Sequence, residues 1–199
     1  LEYFRQNFGA GGGAAIPLPP SGLTATGGII SDYTDSGTTY RAHVFTSSGI
    51  FAVSKIGSFG STVDYLVVGG GGAGGNAHGS NATGGGGAGG LRTNMPACPY
   101  AQAAYPISTT NPYTVVVGGG GVCNGESGYS RAGTHSEIYP TPGGSGSGIY
   151  ASGGGAGVSS TYSPDPEVDG GSGGGADTYD PDGYTGSTVA SPDGRSPTT

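Results

Sequence analysis

The chain has 199 residues, enough for one domain or two small ones, and 47 of them are glycine. A net charge of −7 with only six Lys+Arg argues against a nucleic-acid partner, because phosphates are bound mainly through cations; no apolar run approaches the ~20 residues needed to span a membrane. Leu, Ile, Val and Phe make up about 15% of the residues, below the roughly 20% at which a packed core becomes doubtful, but they are clustered, which leaves room for a small ordered core.

In chain order, residues 1–8 (LEYFRQNF) come first, a short helix or aromatic docking tail. The chain opens on Leu1, as a processed product or a fragment would, and Glu2 and Arg5 with no apolar stretch give no secretory signal. Residues 9–28, rich in Gly, Ala and Pro, read as an extended linker. Strand-like Tyr40-Arg-Ala-His-Val-Phe45 follows, a turn at 46–49 brings Ile50-Phe-Ala-Val53 back as a second strand, and a turn at 57–61 comes next. Val63-Asp-Tyr-Leu-Val-Val68 begins with alternation and ends apolar on both faces, as a strand does when it passes from a sheet edge into a covered interior. Tyr113-Thr-Val-Val-Val117 is a fourth strand of the same kind, and no window has a helical period. The expected organisation is an N-terminal tail and linker (1–28), a β-strand region (29–68), and a glycine-rich part with variable loops and an acidic tail (69–199). Cys98 and Cys123 are too few for a disulfide scaffold and are read as small buried or unpaired thiols, a bond between them being the alternative.

Two strands run straight into glycine. Residues 69–75 (GGGGAGG) recur letter for letter at 84–90, with shorter relatives at 118–121, 143–148, 153–157 and 170–175. Ordering a seven-residue run costs on the order of 10 kcal/mol of backbone entropy, with no side chain to offset it. Either the runs are flexible linkers, or each N–H and C=O finds a partner in a neighbouring run. An extended helix of about three residues per turn and ~3.1 Å rise exposes its backbone in three directions. Without Cβ atoms, such helices can lie side by side and bond laterally, as in polyglycine II. The expected fold is therefore all-β, with a small antiparallel β-sandwich-like region followed by a polyglycine II-type bundle with long polar loops. Collagen is excluded because no Gly-X-Y register is kept.

The formal motifs fail on context. Gly69-x-Gly71-x-x-Gly74 follows a strand, but no helix start and no acidic residue about 20 positions on accompany it. Gly170-Gly-Ser172-Gly-Gly174 lacks the strand and helix of a nucleophile elbow. His43, His78 and His135 have no metal-ligand spacing, and Asp180-Pro-Asp182-Gly183 lacks the further ligands of a calcium loop. The Asp residues between 165 and 182 read as turn formers beside Pro and Gly. No catalytic residue, metal or cofactor is expected.

The succession 40–51, then 63–72, then GGGGAGGLR at 84–92, then Tyr113-Thr-Val-Val-Val-Gly-Gly119 resembles glycine-rich tail-fibre and adhesin-like virion proteins of marine bacteriophages, of the cyanophage and pelagiphage type. Tyr3-Phe-Arg-Gln-Asn-Phe-Gly9 resembles a leader of such proteins. The resemblance implies a tail fibre or tail-tip adhesin, not an enzyme, in which a bundle presents variable loops for host-surface attachment. The alternative is a structural decoration fibre of the capsid or tail. The implied partners are other virion proteins and a host cell-surface glycan or outer-membrane protein, and the implied form is a homo-oligomer, a trimer among the options. Localisation would be the virion, in a tail appendage. Tyr combines contact area, a hydroxyl and low rotamer entropy. The receptor-binding candidates are accordingly Tyr100, Tyr105, Tyr129, His135, Tyr139 and Tyr162, in loops 94–106, 129–140 and 159–167. Tyr3, Phe4, Arg5 and Phe8 are the virion-docking candidates.

Overall fold

The computed structural model describes residues 21–75, 83–124 and 129–157. The docking candidates Tyr3, Phe4, Arg5 and Phe8, the candidate Tyr162, the acidic stretch 165–182 and the glycine run 170–175 lie outside the described residues. Among the described residues the chain is all-β, and every ladder is antiparallel.

The main sheet joins β1 (Thr24–Thr26), β4 (Gly49–Lys55), β9 (Tyr113–Val116), β12 (Ser136–Pro140) and β13 (Ile149–Ala151) in the order β1-β4-β9-β12-β13. Register explains its core. Ala25 lies opposite Val53, Phe51 opposite Tyr113, Val115 opposite Ile138, and Ile138 opposite Ile149. Opposed residues share a face, so one apolar row crosses all five strands. Ala25, Phe51, Val53, Tyr113 and Val115 are buried there with Ile107. Burying each large side chain contributes roughly 1.5–3 kcal/mol.

A thinner layer covers this row. β5 (Thr62–Val63) pairs with β8 (Tyr105–Pro106), and Val63 and Tyr105 pack onto the core cluster. β6 (Leu66–Val68) pairs with β7 (Leu91–Thr93). The predicted strand 63–68 is thus two strands parted at Asp64 and Tyr65. The Tyr65 N–H donates to Asn94 Oδ1 (2.8 Å), and Asn94 Nδ2 donates to Asp64 Oδ1 (2.6 Å). Side-chain amides compete with the ladder at that point.

Two expectations are corrected. The strands at 40–45 and 50–53 do not pair with each other: β3 (Thr38–Val44) pairs with β2 (Ile29–Asp35), while β4 pairs with β1 and β9. Ser36 and Gly37, with φ of 49° and 81°, form the two-residue turn whose twist suits a hairpin. Residues 24–26, inside the stretch read as linker, form an edge strand with Ala25 in the core.

The β2–β3 hairpin stands away from the core. Tyr33 and Tyr40 stack across it (centroids 5.3 Å apart) and remain exposed with Ile29 and Val44. On its other face Arg41 donates twice to the Asp32 carboxylate, at 2.7 and 2.8 Å.

Candidate functional site

The glycine runs continue the strands directly. Residues 69–75 (the first run) extend β6, 84–90 (the second) lead into β7, 118–122 (the third) extend β9, 131–135 (the fourth) lead into β12, and 152–157 (the fifth) extend β13. No cut at 68/69 separates sheet from bundle. The fourth run, Arg-Ala-Gly-Thr-His, holds a single glycine and lies within the segment 129–140 that the sequence presents as a loop. Residues 143–148, read as a run, instead connect β12 to β13.

The bonds between runs recur every third residue. The N–H groups of Gly69, Gly72 and Gly75 donate to the carbonyls of Gly90, Gly87 and Gly84 at 2.8–2.9 Å, while Gly70 and Ala73 donate to Thr134 and Arg131 at 2.9 and 3.1 Å. Gly154 and Gly157 donate to Gly70 and Ala73, and Gly87 and Gly90 donate to Gly155 and Ser152. Arg131 and Thr134 donate to Val122 and Gly119, Gly121 to Gly71, and Gly133 to Gly154. A β-strand directs successive groups with a period of two; the bonds between runs, spaced by three, do not follow it. The numbering gives direction too. The first, third and fifth runs point one way, and the second and fourth the other.

Such close packing leaves no space for side chains at the contacts. A Cβ on Gly70 would lie 2.0 Å from the Gly119 carbonyl oxygen, and one on Gly154 would lie 2.1 Å from that of Gly87. At Gly85 and Gly119 a Cβ would meet nothing within 4 Å. Ala73 and Ala88 occupy such tolerant places: Ala88 is exposed and Ala73 half-buried.

Direction also decides where the chain turns. The first run ends at Gly75, bonded to Gly84, and the Thr83 hydroxyl donates to the Gly75 carbonyl (3.1 Å). The third run ends in β10 (Cys123–Asn124), which pairs with β11 (Tyr129–Ser130), and the Ser130 hydroxyl donates to the Gly74 carbonyl (2.7 Å). The fifth run ends at Gly157, bonded to Ala73. All three departures lie at the end of the bundle remote from the sheet. Cys123 is exposed there, and both cysteines are free thiols.

The receptor-binding candidates are not gathered into one surface. Tyr129, on β11, belongs to this remote end. Tyr100 is exposed in the turns after β7, at the sheet end. Tyr105 is half-buried against the core: its ring meets those of Tyr113 and Tyr65 edge-on, at 5.9 and 6.5 Å, and burial pushes its phenol pKa upward. His135 and Tyr139 share the outer face of the sheet with Glu137 and Tyr150, which no pattern in the sequence singles out. The His135 ring stacks on Tyr150 (4.8 Å), and beside it Glu137 is only 2% exposed. One Glu137 oxygen accepts the Gly146 N–H at 2.9 Å, and the other lies 3.5 Å from His135 Nε2. A buried carboxylate needs such partners, and these tie the 143–148 connection to β12. An isolated Glu amid Ser, His and Ile carries no pattern that announces its burial.

A family model described as a glycine-rich domain matches residues 46–198. No curated protein and no solved structure matches the chain. The matched span takes in β4, the core strands β9, β12 and β13 and every run described above, well over half of the sequence, and the chain accordingly belongs to the glycine-rich domain family.

Proposed function

We propose that this chain is a non-catalytic bacteriophage virion protein, a tail fibre or tail-tip adhesin, whose runs form a polyglycine II-type rack holding chain reversals outward for host-surface attachment. The observation that carries the reading is the hydrogen-bond period of three between runs, with the three departures at the end remote from the sheet. A backbone-bonded rod is stiff, because lateral bonds fix each run in several places. Its loops can then vary in sequence without disturbing the contacts that hold it. The partners would be a host surface glycan or outer-membrane protein at the remote end and other virion proteins at the sheet end.

A second reading, a structural fibre without receptor binding, is favoured by one feature. The β2–β3 hairpin exposes Ile29, Tyr33, Tyr40 and Val44 on one face, and a two-stranded ribbon in water is marginal by itself. Contact with a larger assembly would stabilise it.

The test is competition. Purified protein added to susceptible cells should reduce adsorption of the particle, and antibody labelling should place the chain at the tail tip. Labelling on the capsid with undiminished adsorption would reject attachment and leave the structural reading.

A further inference from the structure

Among the described residues the first run has neighbours around only part of its circumference. It bonds to the second, third, fourth and fifth runs, and the pairs second–fifth, fifth–fourth and fourth–third are bonded as well. Those runs therefore follow one another around the first in the order second, fifth, fourth, third. Rods of equal width pack six around one, so the arc between the second and third runs is open. Gly71 and Gly74 of the first run, Gly85 of the second and Gly120 of the third are exposed. None of these N–H groups donates to a described residue, and the Gly85 and Gly120 carbonyls accept nothing there. Nothing inside the protein requires glycine at these places. A Cβ would meet nothing within 4 Å at Gly85, and at Gly120, Gly71 and Gly74 its nearest neighbour would lie at 3.6, 3.7 and 3.8 Å, ordinary contact distances. None of them has a positive φ. Glycine loses more conformational freedom on folding than any other residue, so bare backbone here calls for a contact from outside. The sheet end of the same side is apolar. Val67 and Arg92, opposite each other, face β13, where Arg92 Nε donates to the Tyr150 carbonyl (3.0 Å). Leu66, Val68 and Leu91 stand on the other side of the β6–β7 pair and are 55%, 51% and 45% exposed.

We infer that this side of the molecule, from Leu66, Val68 and Leu91 along the open arc of the bundle, is where a second copy of this chain docks, like face against like face. Three features select a copy of the chain as the occupant. Unpaired donors and acceptors lie together on the face, so it is self-complementary, as a twofold contact requires. None of the residues named on it is charged, so a chain of net charge −7 meets its copy there without opposing like charges. An occupant of the arc must also bring backbone that no side chain holds at a distance, and Gly85 and Gly120 present such backbone. Unpaired peptide groups in a row are a template for another chain, as they are at the edge of a sheet. The apolar end supplies the gain from leaving water. Assembly of this kind goes beyond the attachment reading and does not depend on it.

Sedimentation equilibrium of the full-length protein, joined to amide exchange at low and high concentration, tests this. The mass should rise toward that of two chains with concentration, and exchange at Gly71, Gly74, Gly85 and Gly120 should slow in step while 153–157 stay unchanged. Val68→Asp sets like charges against each other across the contact, and the Gly85→Leu side chain has room in a single copy but not between two. Each should weaken association by about tenfold or more. Tyr33→Ser, on the β2–β3 hairpin, should leave association unchanged. Circular dichroism accompanies each variant, and Gly85→Leu carries the test where Val68→Asp unfolds. A monomer at every concentration would overturn the inference. So would undiminished association in the folded face variants, or its loss in Tyr33→Ser alone. Protection of the face that is independent of concentration would assign the arc to a segment of the same chain and equally overturn it. Failure to compete for adsorption, with association intact, would count against attachment alone.

Discussion

The main sheet and the glycine bundle are made by the same strands, yet they are held together in opposite ways. In the sheet, Phe51, Val53, Tyr113 and Val115 are buried side chains, and the backbone ladder is the frame that aligns them. In the bundle the frame is all there is: Gly70 and Gly154 have neighbouring carbonyl oxygens where a Cβ would sit. One region is stabilised chiefly by removing apolar surface from water, the other by mutual satisfaction of peptide groups. The first tolerates a smaller side chain at the cost of a cavity. The second tolerates no side chain at its contacts.

The strongest way to break the comparison is Gly154→Val. A branched side chain at the centre of the array must displace the backbone of the second run, and we expect destabilisation above about 5 kcal/mol, read as failure to fold or early loss of structure in denaturant. An ordinary midpoint would mean that the runs are loosely held. Phe51→Ala probes the other region and should lower the unfolding free energy by about 3–5 kcal/mol, as lost burial and a residual cavity require. A much smaller loss would make the bundle, not the apolar row, the main source of stability. Gly85→Ala and Gly119→Ala, where a Cβ meets open space, should change stability by no more than about 0.5 kcal/mol, so that equal glycines of one composition differ only by place. The smallest effect concerns the hairpin, which belongs to neither region. The hydrogen bonds from Arg41 hold the Asp32 carboxyl below its ordinary range. Its NMR titration midpoint should therefore lie below that of an unpaired aspartate and rise toward it in Arg41→Met. Because folding lowers this pKa, the pair supports the hairpin above the unfolded chain's pKa and ceases to do so as the pH falls through the depressed value.

Much of the sheet was legible. The segments 40–45, 50–53 and 113–117 carry β-branched and aromatic residues between turn formers, and each contains a strand. Their partners were not legible: the 46–49 turn invites a hairpin, whereas β3 turns back on β2 and β4 joins β1 and β9. Gly27 and Gly28 permit that crossing, with φ of 111° and 67° and with the Ile50 and Val44 carbonyl oxygens 2.0 and 2.7 Å from where their Cβ atoms would be. For the candidate site, tyrosine content indicated surfaces but not burial. Tyr105 packs half-buried against the core, while His135 acquires Tyr150 and Glu137 as neighbours.

What the sequence by itself determined is the class of contact. Runs without Cβ atoms, joined directly to β-branched segments, leave the peptide group as the only available adhesive, so any order among them has to come from lateral backbone bonding. Only the tertiary structure decided membership and order. It admitted Arg131-Ala-Gly-Thr-His135 beside the glycine runs and sent 143–148 into a connection between strands. The reason is geometric: a rod at the edge of an array needs a bare backbone only where it faces its neighbours, and which residues face inward is fixed by strand register, which glycine content does not encode.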